Sequence, residues 1–135
     1  MTRSLTPDEL REQLRQFTGG DCFYRHPLNR QVIYTEGVRF LAEHAKAYWL
    51  IDAIASYFPS PVMEDAIGAD ERLASLQFWT LNVAGDQAEL LMLADRDERP
   101  LIRQRIALTD FPLDRIDIWA GFNGSGWTLY LPSEH

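Results

Sequence analysis

The sequence predicts an α+β fold, with about three N-terminal helices packed on one face of a C-terminal, roughly five-stranded antiparallel meander sheet. Three observations predict it. Apolar residues recur at helical spacing through the first sixty positions, whereas after Ser75 they alternate with a period of two. The prolines at 59 and 61 separate the two regimes. With 135 residues, 46% of them hydrophobic, the chain has the size of one domain and enough apolar surface to offset the entropy of ordering it. Residues 1–60 read as mainly helical and 75–132 as mainly sheet, in a single domain spanning 1–135.

Thr6-Pro7-Asp8-Glu9 starts the first helix: Thr6 caps it, Pro7 suits the first position, and the two acids complement the helix dipole. Leu10, Leu14 and Phe17 share a face, and Gly19-Gly20 stops the helix after about Phe17. Cys22 to Leu28 is aromatic and runs into a proline, an extended linker that continues as a short strand at 31–34. Thr35 caps a second helix with Val38, Leu41, Ala42 and Ala45 on its apolar stripe. From Ala47 to Phe58 the chain is apolar nearly all round, broken by Asp52 and Ser56, and reads as the most buried helix. Pro59 and Pro61 end it, and a loop with one short helical turn follows to about Ala74.

Leu76–Val83 places Trp79, Leu81 and Val83 on one face of a strand and Phe78 and Thr80 on the other. Gly85-Asp86 turns it into Glu89–Leu93. After the charged loop Asp95-Arg96-Asp97-Glu98-Arg99-Pro100, Ile102, Ile106 and Leu108 share one face and Arg103 and Arg105 the other. Ile116, Ile118, Ala120 and Phe122 then alternate with Arg115, Asp117 and Trp119. Asn123-Gly124-Ser125-Gly126 closes a last hairpin into Trp127, Leu129 and Leu131.

The net charge of −7 is unevenly distributed: residues 1–60 hold seven acids and seven bases, and residues 61–135 hold thirteen acids against six arginines. Phosphate-backbone binding needs clustered Lys and Arg, so direct nucleic-acid binding is not expected, and a partner with a basic surface is favoured over an acidic one. One cysteine excludes an internal disulfide framework and a Cys-rich zinc site. The first residues lack the apolar run of a signal peptide, and no stretch approaches the roughly 18 apolar residues of a membrane span. A cytoplasmic protein without membrane attachment is expected.

Candidate chemistry is sparse. Cys22 and His26 supply two groups where zinc needs three or four, and a catalytic thiol needs a base and an orienting group. His44 and His135 read as solvated. Asp52, on the most apolar helix, must be paired or hydrogen-bonded, and with Cys22 and His26 it marks a candidate buried polar site. Gly121–Gly126 superficially resembles phosphate loops, but it joins two strands rather than a strand and a helix. No catalytic residue, metal ligand or cofactor is assigned. The alternation turns Trp119, Tyr130, Arg103, Arg105, Arg115, Asp117 and Thr128 outward, and an exposed Trp beside arginines suits an interface anchor. Trp119, Tyr130, Arg103 and Arg105, with the acids Asp95, Asp97 and Glu98, form the candidate binding set.

The motifs Tyr24-Arg25-His26-Pro27-Leu28, Tyr34-Thr35-Glu36-Gly37-Val38, Ala47-Tyr48-Trp49-Leu50-Ile51-Asp52, Gln77-Phe78-Trp79-Thr80-Leu81, Thr109-Asp110-Phe111-Pro112-Leu113 and Leu131-Pro132-Ser133-Glu134, in this order, resemble the bacterial domain-of-unknown-function family numbered six-eight-seven-six. Its members look like small proteins of phages, plasmids and integrative elements. The resemblance carries over no activity and no site residue. It implies a context in which small acidic proteins bind host machinery, including nucleic-acid-directed defences of the CRISPR and restriction type. The expectation is therefore a non-enzymatic protein-interaction module of a mobile element, inhibiting such a complex through its acidic half. Two alternatives stand beside it: a small enzyme or ligand-binding protein with a helix–sheet pocket near Asp52, and a structural homo-oligomer pairing through an edge strand.

Overall fold

A computed structural model describes residues 5–135, which form four α-helices and one mixed seven-stranded sheet. Helix α1 (Pro7–Arg15) begins with a capping box in which Thr6 Oγ1 accepts from the Glu9 N–H and the Glu9 carboxylate accepts from the Thr6 N–H. It ends at Arg15, two residues short of the predicted Phe17, and buries Leu10 and Leu14. Strands β1 (Phe23–Arg25) and β2 (Val32–Thr35) follow as an antiparallel pair. Thr35 caps α2 (Glu36–His44) through its hydroxyl, which accepts from the Val38 N–H. Helix α3 (Tyr48–Ala55) then buries Leu50, Ile51, Ile54 and Ala55.

A fourth helix, α4 (Pro61–Ala69), occupies the stretch predicted as a loop. The proline read as a terminator is its starter: Ser60 accepts from the Met63 N–H and Pro61 takes the first helical position, where no amide donor is needed. A 3₁₀ turn at Glu71–Ala74 leads into the strands β3 (Leu76–Ala84), β4 (Gln87–Leu93), β5 (Ile102–Ile106), β6 (Arg115–Phe122) and β7 (Trp127–Tyr130).

The strand order is β1-β2-β7-β6-β3-β4-β5, not the predicted five-stranded meander. Two features account for the difference. The connection from β5 to β6 buries Phe111 and Leu113 in the core, which carries the chain across to the free side of β3, so that β6 pairs with β3 and leaves β5 at an edge. The N-terminal hairpin is then added through a parallel pairing of β2 with β7, with Val32 opposite Trp127 and Tyr34 opposite Leu129. The residues expected to form a linker thus extend the sheet.

All four helices lie against one face. Gln77, Trp79 and Leu81 of β3, Leu90 and Met92 of β4, Ile118 and Ala120 of β6 and Leu129 of β7 meet Leu10, Val38, Leu41, Ile54 and Met63 in one buried cluster. Among the described residues, no helix is long and apolar enough to cross a membrane.

Candidate functional site

The three residues singled out as a buried polar site are divided by the fold. His26 is buried, but the Asp52 side chain is 65% exposed and Cys22 is exposed. Cys22 precedes β1 and His26 follows it, so about 13 Å of extended chain separates them. The Cys22 thiol lies 3.7 Å from the Tyr24 hydroxyl. His26 and Asp52 do meet, with Nε2 to Oδ1 at 2.7 Å. The other ring nitrogen, Nδ1, accepts from the backbone N–H groups of Leu28 (3.1 Å) and Asn29 (3.0 Å), which places the ring's proton on Nε2, facing Asp52. Asn29 also donates to the carbonyls of Ala55 and Phe58. The constellation ties the turn after β1 to the end of α3. Both nitrogens of His26 are committed. Among the described residues no group of three His, Cys, Asp or Glu side chains could hold a metal ion.

The sheet face away from the helices has a different composition. Phe78 of β3 stands opposite Trp119 of β6, and Trp119 opposite Tyr130 of β7. The rings meet edge to face, with centroids 4.9 Å and 6.2 Å apart. Leu93 of β4 pairs with Phe78, and Leu91 pairs with Thr80 and Arg103, so the strip runs across four strands. Two groups from outside the strands join it. The Arg96 guanidinium lies 5.9 Å from the Trp119 ring. His135, exposed as expected, also packs on Trp119 and Tyr130, with its Nδ1 2.9 Å from the Tyr130 hydroxyl. Among the described residues the ring–ring and cation contacts of Phe78, Trp119 and Tyr130 are with one another, Arg96 and His135. Burial pushes the Tyr130 phenol above its ordinary pKa, so it keeps its proton through neutral pH. The indole N–H of Trp119 has no protein partner among the described residues.

Arg103 and Arg105 flank this strip on β5. Arg103 donates to Glu89 Oε1 at 2.8 Å, while Arg105 is exposed and forms no ion pair among the described residues. Both lie on an edge strand, where charge opposes pairing with another sheet, and the opposite edge β1 is only three residues long. The acids of the loop after β4 have distinct roles. Asp95 accepts from the Arg96 N–H at 2.7 Å and shapes the turn, Glu98 accepts from Arg72, and Asp97 extends into solvent. Arg72 also binds Asp70 at 2.6 Å, so one guanidinium joins Asp70 to Glu98 of the loop. Asp70 and Glu98 thus share Arg72, and with Asp95 and Asp97 of the same loop they make this end of the molecule acidic.

Sequence reasoning identified Trp119, Tyr130 and the arginines but not Phe78, Leu91, Leu93, Arg96 or His135 as members of one surface. A signal existed for the leucines: Leu90-Leu91-Met92-Leu93-Ala94 is apolar without alternation, the mark of a strand covered on both faces. The covering ring and the loop arginine come from distant sequence and carry no local signature.

Fold and surface define a mixed α+β protein whose sheet has one helix-covered face and one open, aromatic face. The chain matches the family of unknown function DUF6876 over residues 8–135 and belongs to it. No curated protein and no solved structure matches it.

Proposed function

We propose that this chain is a non-enzymatic protein-interaction module that recognises a partner with a basic surface through its open sheet face and the acidic end beside it. The observation that carries this reading is the Arg96–Trp119 contact. It joins the acidic loop to the aromatic strip, so a field that steers a basic partner and an apolar anchor form one continuous surface. A half-buried tryptophan whose N–H has no partner among the described residues, flanked by aromatic edges and the Arg96 guanidinium, has the composition of an interface hot spot. The saturated hydrogen bonding of His26 favours this reading over an enzyme built around Asp52. The arginines on β5 weigh against a homo-oligomer paired through that edge.

In the mobile-element setting that the family resemblance implies, the partner we propose is a host complex that acts on nucleic acid, met in the cytoplasm and blocked at a basic channel. Capture from host lysate tests the reading. Trp119→Ala and the triple change Asp95→Asn, Asp97→Asn, Glu98→Gln should each abolish retention of the same protein, and the wild-type complex should weaken steeply with added salt. Retention unaffected by either variant would remove the surface from consideration.

A further inference from the structure

We infer that a hollow beside the aromatic strip, floored by Gly121, takes an organic cation: the guanidinium or ammonium of a side chain on the partner. The inference deepens the interaction reading and rests on it only for the source of that cation. Gly121 shares the parity of Trp119 on β6 and so faces the open side of the sheet. It has no Cβ, and one built there would stand 3.4 Å from Tyr130 Cε1, so the tyrosine ring leans over bare backbone. Beside this ring is a hollow of about 330 Å³ with Thr128 in its lining and Phe23, Tyr130 and His135 as aromatic walls. His135 lies nearly parallel to Tyr130, at 11°, with centroids 5.8 Å apart. Phe23 is 49% exposed, one of few large apolar side chains left open to water.

The charge in the hollow decides what it would hold. Glu134 supplies the one Asp or Glu side chain in its lining, and no Lys or Arg lines it. That carboxylate is held in place: its Oε1 accepts from the Thr35 hydroxyl at 2.6 Å and from the Leu131 N–H at 2.9 Å. The arginine on the neighbouring strand, Arg25, does not line the hollow. Electron-rich ring faces around a fixed carboxylate, with no Lys or Arg among them, attract a cation and repel an anion. The hollow beside α1, about 390 Å³, differs: Arg11, Arg15 and Arg115 line it together with Asp114 and Asp117, and the arginines are already paired with Asp114, Glu12 and Asp117.

Titration of the full chain with N-acetyl-arginine amide, followed by the backbone amide signals of Gly121 and Thr128, tests the inference. Saturable shifts are expected with the arginine and lysine amides and none with the uncharged citrulline amide. Glu134→Gln keeps an oxygen for Thr35 and Leu131 while removing the charge, and should weaken binding roughly tenfold. Phe23→Ala, at an exposed edge position, should weaken it severalfold. Equal binding of citrulline and arginine amides, or full affinity in Glu134→Gln, overturns the inference. The Asp95, Asp97, Glu98 triple variant should bind the arginine amide like wild type. A failed titration therefore leaves capture through the acidic loop standing, and failed capture leaves the hollow standing.

Discussion

Trp79 and Trp119 lie on neighbouring strands of one sheet and face opposite ways, and the contrast between them is the contrast between the two sides of this protein. Trp79 is 1% exposed. Its indole N–H donates to Gln77 Oε1 at 3.0 Å, while the Gln77 amide donates to the Leu73 carbonyl at 3.0 Å and lies 3.2 Å from Met63 Sδ. Among the described residues no buried side-chain nitrogen or oxygen lacks a partner, and the aliphatic side chains of the helices close over that side. Trp119 has rings on its flanks and a guanidinium near its face, but its N–H has no protein partner among the described residues. The inner face is chemically complete, and the outer face keeps capacity for a further contact. On the helix side His26 uses both ring nitrogens to hold a turn.

The comparison can be broken most directly by truncating each tryptophan. Trp79→Ala removes a fully buried ring from the core and should cost about 3–5 kcal/mol in urea unfolding, enough to unfold much of the population of an ordinary small domain. Trp119→Ala should cost about 1–2 kcal/mol, because the ring is half in water, yet it should abolish partner capture. Equal destabilisation by the two changes would mean that the outer strip is a second core rather than a binding face.

A smaller effect sharpens the same contrast. Gln77→Leu leaves the Trp79 N–H and the Leu73 carbonyl buried without partners and should cost about 1–3 kcal/mol. Combining it with Trp79→Phe removes the orphaned indole donor, so the double variant should be less destabilised than the two single losses added together. Simple additivity in a double-mutant cycle would show that the buried hydrogen bond contributes nothing beyond packing.

How much of this was legible in the sequence follows from which interactions are local. The caps at Thr6 and Thr35 and the alternation in β3, β5 and β6 are set by neighbouring residues, and they appear where the pattern places them. Pro61 was ambiguous because a proline ends one helix as readily as it begins the next; Ser60 just before it, with a hydroxyl free to cap, was the deciding residue. The strand order was not legible. It depends on Phe111 and Leu113 being drawn under the sheet, and on Val32 and Tyr34 finding β7 nearly a hundred residues away. The same limit applies to the surface. Trp119 could be seen facing outward, but the Arg96 and His135 contacts that give it a setting come from a loop and from the far end of the chain.

The smallest expected effect concerns the acidic end, where the interaction reading needs charge to serve recognition rather than folding. The Arg72 guanidinium, hydrogen-bonded to Asp70, holds that carboxyl below its ordinary value of 3.8. A depressed pKa in the folded state means that the pair contributes stability above the ordinary value, and that this contribution is lost as the pH falls through the folded one. Asp70→Asn keeps the oxygen that accepts from the Arg72 N–H and removes only the charge. The variant should therefore be slightly less stable than wild type near pH 6, and the two should converge as both are titrated toward pH 2. An exposed pair of this kind is screened by water and salt, so the gap near pH 6 should close again in high salt. A large gap that persists in salt would make these carboxylates structural, and the acidic end would then resemble the saturated inner face more than the open one beside Trp119.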